Sequence, residues 1–424
     1  MNGSQLLEFI KLVWPLNRSI TGKGTLETLK FIKSAVPECN ILSVPSGTRC
    51  FDWEIPLEWN VNSAYIIDPL GDKFIDFKDN NLHLVGYSEP VQCKMSLAEL
   101  NPHLFSLPEQ PDLIPYRTSY YDKSWGFCLT ENMRKNLVEG EYSVYIDSTL
   151  QPGTLNYGEI FIQGKSKAEI VFSTYICHPS MANNELSGPA IAIGIADFLK
   201  KIDRYYSYRI LFVPETIGVI SYLSSNFSSL KDRTLAGYIL TCLGDDEQWS
   251  FLPSRTGITL SDKVALRTLQ QSKIDFTRYS FLDRGSDERQ FCSPLIDLPF
   301  CSVMRSKYGT YDSYHTSGDD LNFISPRGLE KSLQFYMEVI NSFERNRVPK
   351  SLIHCEPMFS KRKLRSNLGG ARRLDSDSLN LSHVMALSDG SYDFEELAGI
   401  LDLPLTTIQN LCENLVNHQL ITLL

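Results

Sequence analysis

The chain holds seven histidines in 424 residues, and two of them sit where a metal could use them. His178 follows the apolar run "EIVFSTYIC", and His315 lies in "YGTYDSYHTSGDDLNF". Open α/β sheets gather ligands beyond the carboxyl ends of their strands, which is where His178 falls. Neutral imidazole binds zinc well, and Glu185, in "CHPSMANNELSGPA", supplies a hard anionic partner. A lone histidine is more often structural; the company of "NELSG" and "SGDD" singles these two out.

Other charged residues fall at comparable positions. Glu215 closes the apolar strand "YRILFVPE" and precedes a Gly-opened helix, so it could take a proton from water activated by a metal. The plainer reading is an acid favoured by the helix dipole. Asp245 and Asp246 end another strand in "LTCLGDDEQW"; one could ligate metal, although Gly-Asp is also ordinary turn chemistry. In "LDRGSDERQF", Arg284, Asp287, Glu288 and Arg289 could orient a substrate or form a solvated ion-pair network.

These residues need a scaffold. "AEIVFSTYICH", "YRILFVPE", "LAGYILTCLG" and "PFCSVM" read as strands, and the helical windows "SGPAIAIGIADFLKKI", "GVISYLSSNF" and "DKVALRTLQQS" alternate with them. That alternation predicts an α/β layer with a mostly parallel sheet. The first fifty or so residues read as helices, "QLLEFIKLVWPL" and "KGTLETLKFIKSAV", around a cap-and-turn cluster "NRSITGKG". From residue 51 to 157 the texture becomes short, aromatic and β-branched, broken by Pro and Gly-Asp, as in an antiparallel sandwich. Trp53, Trp59 and Trp125 fit either its packed core or an aromatic rim over a cleft. Beyond "RVPK" a basic stretch with Lys361, Arg362, Lys363, Arg365, Arg372 and Arg373 leads into two helices and a short apolar strand, a winged helix-turn-helix pattern. The domains expected are 1–50 with 158–347, the insertion 51–157, and 348–424.

Composition narrows the partners. A formal charge of −9 argues against a generic nucleic-acid or anionic-membrane binder. "LTTIQNLCENLVNHQL" contains no Lys or Arg, which points the winged helix to protein contact or homo-oligomerisation and away from DNA. No apolar run reaches membrane-spanning length. Ten scattered cysteines without a CxxC pair fit reduced thiols in a cytoplasmic protein.

Together, "LNRSITGKG", "CHPSMANNELSGP", "PETIG", "LGDD", "GSDERQF" and "YHTSGDD" resemble, in this order, the zinc aminopeptidase-like family related to bacterial leucyl aminopeptidases and glutaminyl cyclases. The likeness is to the branch with an inserted β domain and a C-terminal winged helix. It implies a zinc-exopeptidase-like αβα sandwich, with His178 and His315 as zinc ligands, Glu215 as general base, and the strand-end aspartate ligand at Asp245. The bridging aspartate of that pattern falls on Asn184, and the second of its paired glutamates on Thr216. Both substitutions remove anionic charge that would hold a second dication. The resemblance therefore implies one Zn2+ on His178, Glu185 and His315, with Asp245 as a further ligand, beside Glu215. Asp287 and Arg289 would orient the substrate, a small peptide or amide-containing metabolite. The activity expected is amide hydrolysis of an exopeptidase kind; cyclisation, N-deacylation and ligand-sensing regulation are the alternatives.

Overall fold

The apolar runs that open at Glu169, Ser207, Thr234 and Phe300 become neighbours in one sheet. In the computed structural model, which describes residues 1–364 and 376–424, that sheet has eight strands. They are β1 (Asn40–Pro45), β2 (Thr154–Ile162), β3 (Glu169–Tyr175), β4 (Ser207–Val213), β5 (Thr234–Ile239), β6 (Trp249–Leu252), β7 (Phe276–Arg278) and β8 (Phe300–Met304). Their order is β1-β2-β4-β3-β5-β8-β6-β7. The central four, β4-β3-β5-β8, are parallel, while β1–β2, β2–β4 and β8–β6 are antiparallel pairs. Every residue of β3 is buried, as a strand covered on both faces requires.

Helices α1 (Ser187–Leu199) and α2 (Ile217–Arg233) follow β3 and β4. The small residues of α1 let it lie close to the sheet. A Cβ on Gly188 would come within 2.3 Å of the Leu240 carbonyl oxygen and of Thr174 Oγ1. The N-terminal helices Gly3–Val13 and Lys23–Ala35 form as their periodicity predicts. The helical reading of the first fifty residues misses β1, an edge strand whose residues are all exposed or half-buried. An edge strand of this kind has no alternation to show; its pairing with β2 makes it a strand.

The insertion differs from a sandwich. It holds one four-stranded antiparallel sheet, ordered Lys73–Asp76, Glu58–Ile67, Glu141–Gln151, Val91–Ser96. Its second layer is mostly irregular chain carrying Leu84, Tyr87 and Leu129, with one short parallel pair, Leu104–Phe105 with Phe127–Cys128. The prolines of "NPHLFSLPEQPDLIP" keep that ladder to two residues. The last residues of the expected insertion belong to β2, which starts at Thr154. One apolar cluster runs from Ile66 and Val144 of the inserted sheet to Val171 and Leu211 of the main sheet and Ile217 of α2. The insertion and the α/β layer therefore share a core.

The chain divides into two compact units, residues 1–203 with 207–337, and 204–206 with 338–424. The second has helices Ser376–Ala386, Phe394–Leu401 and Leu405–Asn417, with Pro349–Ser351 pairing antiparallel to Ile421–Leu423. Leu381, Val384, Leu397, Ile408, Cys412 and Leu415 form its core, and a capping box of Asp393 and Glu396 starts the middle helix. Lys361 and Arg362 lie on a single turn at Phe359–Arg362, followed by Lys363; Arg365, Arg372 and Arg373 lie outside the described residues. Among the described residues, no helix is long and apolar enough to cross a membrane. All ten cysteines are free.

Because the obstacle at Gly188 is backbone, Gly188→Ala should cost about 1–3 kcal/mol of stability through overpacking. Urea unfolding checks this; an unchanged midpoint would contradict the close approach of α1 to the sheet.

Candidate active site

Beyond β3 the chain runs through Cys177 to His178, then enters a buried π-type turn, Ala182–Leu186, that leads into α1. Such turns put an extra residue into a helix start and are frequent at functional sites. The loop after His315 clamps this one. The fully buried Asp319 carboxylate accepts the backbone N–H groups of Ala182, Asn183 and Asn184 at 3.1, 2.6 and 2.8 Å, and the Tyr311 hydroxyl at 3.1 Å. Burial raises its pKa to about 6 despite these donors. Asp319 thereby docks the segment bearing His315 against the turn bearing Glu185.

A buried ion pair holds the turn from the other side. Arg18, from the "NRSITG" connection, donates through Nε to Glu185 Oε1 at 2.8 Å and to the His178 carbonyl at 3.0 Å, with neither side chain exposed. Its Nη1 donates to the Val13 carbonyl at 2.6 Å. Glu185 Oε2 takes the His178 backbone N–H and lies 2.8 Å from His178 Nδ1. Glu185 is thus spent on Arg18 and on orienting the ring, and meets His178 on the side away from His178 Nε2. Both carboxylate oxygens are engaged in these contacts, which compete with the expected ligand role.

His178 Nε2 lies 3.6 Å from Glu215 Oε2. Burial disfavours the imidazolium, but the hydrogen bond and charge of Glu185 and the charge of Glu215 outweigh it and raise the His178 pKa. His315 sits at φ 54°, a left-handed backbone, and its carbonyl accepts the Tyr116 N–H at 2.8 Å. Burial, then the His178 charge, pushes its pKa down to about 3, so it stays neutral. The two rings are 5.2 Å apart, centroid to centroid. Among the described residues, the buried His315 Nε2 has no hydrogen-bond partner.

Glu215 is about one-fifth exposed at the end of β4, and burial raises its pKa against the opposing charges of His178 and Arg289. The next residue, Thr216, holds φ 64° and ψ −77°, which is strained for a β-branched residue. Asp287 Oδ1 secures it by accepting its N–H at 2.7 Å, and Arg289 donates to its hydroxyl at 3.0 Å. Asp287 is fully buried; burial, then the Glu215 charge, raises its pKa well above the carboxylate range. Neither Asp287 nor Arg289 lines the cavity over the histidines, so their expected substrate contact gives way to positioning of the Glu215 turn. Asp245 is also turned elsewhere, accepting from Asn183 Nδ2 at 2.8 Å and Ser306 Oγ at 3.0 Å. Its carboxylate is committed to bracing the turn, which argues against the ligand role.

The cavity encloses about 780 Å³. His178, Glu215 and His315 line it, with Tyr311 and Tyr314 from one side and Tyr116 and Tyr120 of the insertion from the other. No tryptophan lines it: Trp59 is core, stacked on Tyr87, and Trp53 is partly exposed against Tyr121. Sequence reasoning missed Arg18, Asp319, Tyr116 and Tyr120. Arg18 did carry a signal, as a cation beside Ser19 and Thr21 in the turn between apolar helices.

A metal can be tested against these donors. Two imidazoles on one tetrahedral zinc place their ring centroids roughly 5 Å apart, which matches the observed pair. The unpartnered His315 Nε2 fits a coordinating lone pair, so the residues fit one ion on the Nε2 side. They do not fit two, since Asn184 and Thr216 bring no charge. Cys177, His178 and Glu185 also have ligand atoms within 4.8 Å of one another. That grouping is the poorer fit, because Arg18 already neutralises Glu185. Burial also raises the Cys177 pKa well above its ordinary value, and its sulfur accepts the Glu215 N–H at 3.2 Å.

The parallel core, the strand-end site and the histidine pair define an aminopeptidase-like fold. The zinc aminopeptidase BSAP of Bacillus subtilis matches with a TM-score of 0.59 at 12% identity, over 80% of this chain and 94% of that one. The aminopeptidase of Aneurinibacillus sp. strain AM-1 matches at 0.53 and 11%, over 80% and 93%. Those likenesses are of fold. The chain belongs to the family described as domain of unknown function DUF4910, which matches residues 7–346, and residues 347–423 match a winged helix-turn-helix family. A Clostridium acetobutylicum protein, named for polysaccharide biosynthesis and an aminopeptidase-like domain, is 43% identical over 397 residues, 93% of this chain and 91% of that protein. A crystal structure of a candidate peptidase from C. acetobutylicum has a TM-score of 0.82 and 40% identity, over 100% of this chain and 96% of that one.

Breaking the buried pair leaves an uncompensated charge. Arg18→Met should cost about 3–5 kcal/mol, and adding Glu185→Gln should recover part of it. Chemical denaturation of the single and double variants measures this; a harmless Arg18→Met would remove the ion pair from the account of the site.

Proposed function

We propose that this protein is a zinc-dependent hydrolase of an amide bond that uses one ion, held by His178 and His315. The observation that carries the proposal is the imidazole pair 5.2 Å apart with an unpartnered, buried Nε2 on His315. When bound, zinc supplies Lewis acidity that polarises a carbonyl and acidifies water. Glu185, backed by Arg18, fixes the ring of His178 through Nδ1, as a carboxylate behind a metal-binding histidine does. Glu215, with its raised pKa, takes a proton from water at Oε2 and delivers it to the leaving nitrogen. The water oxygen adds to the acyl carbon, the C–N bond breaks with its electron pair on nitrogen, and a carboxylate and an amine result. Asp287 serves by holding Thr216, and so Glu215, in place.

The C. acetobutylicum relative's name joins an aminopeptidase-like domain to polysaccharide biosynthesis. That supports widening the scissile bond from a peptide to an amide on a biosynthetic intermediate, N-deacylation included. The winged helix, whose helix Leu405–Asn417 has no Lys or Arg, serves protein contact in this reading.

Purified protein should carry roughly one equivalent of zinc by mass spectrometry, and His178→Ala and His315→Ala should lose it. Glu215→Gln should keep the metal and lower kcat about 100- to 10,000-fold on a panel of aminoacyl and N-acyl amides. Full zinc in both histidine variants would remove the ligand assignment, and undiminished turnover in Glu215→Gln would remove the base.

A further inference from the structure

The cavity over the histidines is half built by the insertion. Its wall there runs from Leu107 to Tyr120, and the opposite wall from Gly309 to Thr316. The two are stitched together by short hydrogen bonds. Tyr116 N–H donates to the His315 carbonyl at 2.8 Å, Ile114 N–H to Ser317 Oγ at 2.9 Å, and Ser317 N–H to the Ile114 carbonyl at 2.8 Å. The wall is therefore part of the site's fixed geometry. Tyr116 roofs the imidazole pair, with its ring 5.2 Å from His178 and 5.1 Å from His315.

What this cavity offers a ligand is tyrosine. Tyr116, Tyr120, Tyr311 and Tyr314 line it. The Tyr311 hydroxyl is held by Asp319, and the Tyr311 and Tyr314 rings stack on Phe323 and His315, which leaves Tyr116 and Tyr120 as the pair with a hydroxyl to spare. The Tyr116 and Tyr120 hydroxyls lie 3.0 Å apart, and that one bond uses one of their two protons. The other phenolic hydrogen is left to donate.

Beside the imidazoles the cavity offers an ammonium no carboxylate other than Glu215. A peptide's free α-amine buried there needs one, since an unpaired buried charge is costly. Glu185 is closed by Arg18, Asp319 by three backbone amides, and Asp245 by Asn183 and Ser306. Asp287, whose Oδ1 takes the Thr216 N–H, does not line the cavity. Asn184 and Thr216 are neutral, and Glu215 is needed for the proton. Glu109 and Asp312 lie on the exposed rim, in water.

A pyranose ring matches both facts. Its C–H face is apolar and suits an aromatic ring, its rim of hydroxyls suits phenols, and it needs no counter-ion. Resting on the amide-hydrolase reading above, we infer that the scissile amide is carried on a neutral carbohydrate, an N-acylated amino sugar packed against Tyr116 and Tyr120. At about 780 Å³ the cavity has room for the sugar, its acyl group and a further substituent.

The test is ligand-observed saturation-transfer NMR on zinc-loaded, full-length protein. The probes are N-acetylglucosamine, N-acetylgalactosamine and N-acetylmannosamine, with leucinamide as the ammonium-bearing competitor. At least one sugar should bind, and leucinamide should not displace it. The Tyr116→Phe/Tyr120→Phe double variant should weaken that sugar roughly two- to tenfold by removing a hydrogen bond, and Tyr116→Ala should weaken it by removing the ring. Binding of leucinamide alone, or sugar affinity equal in the wild type and both variants, overturns the inference. Zinc content measured on the same samples keeps the two readings apart. Sugar binding by protein that takes no zinc would support the carbohydrate and sink the metal site. Zinc-loaded protein that ignores all three sugars would do the reverse.

Discussion

The site depends on one buried interaction, the contact of Arg18 with Glu185 behind His178. An isolated carboxylate in that dry interior would protonate or drive the turn open. With the guanidinium on Oε1, the Glu185 carboxylate is paired and holds both the backbone and the ring of His178. The pair also ties together chain segments far apart in sequence, since Arg18 precedes the whole insertion. The N-terminal helices are thus joined to the chemistry by a charge as well as by packing.

That constraint explains the charge pattern around the cavity. Asn184 and Thr216 carry no charge, while Glu185 is matched by Arg18. The Glu185 carboxylate lies on the Nδ1 side of His178. There it raises the basicity of the imidazole. Strain sits beside these groups, at Thr216 and at His315, where positive φ is held by Asp287 and by the Tyr116 N–H. A backbone held against its preference from the insertion side implies that the insertion and the site depend on each other structurally.

Much of the scaffold was legible in the sequence. Strands such as "EIVFSTY" are continuous apolar runs because both faces are covered, and the small-residue helix after them can be read for the same reason. The edge strand Asn40–Pro45 was not, because its residues are all exposed or half-buried and show no clean alternation. The inserted sheet was legible as strands, but not as a single layer, since Leu84, Tyr87 and Leu129 pack from chain that lies outside any strand and has no period. In the site, His178, Glu185, Glu215 and His315 could be named from spacing. The partners of Glu185 could not, because a carboxylate's role is set by which face of a ring it meets. Asp245 looked like a metal ligand and Asp287 like a substrate-orienting group by position, yet each accepts from a backbone or amide donor that only the fold supplies.

Tyr116 shows why position in the chain is a weak guide to position in the site. It lies in "LIPYRTSYY", a stretch that reads as loop, far in sequence from either histidine. The Pro115–Thr316 bridge and the Asp319 clamp bring it over both rings. The same loop geometry that docks His315 against the turn therefore also sets the roof above it. A change in the "YHTSGDD" loop would move His315, clamp and roof together. In the proposed reading, this coupling would hold a substrate that fits the tyrosine wall in register with the imidazoles.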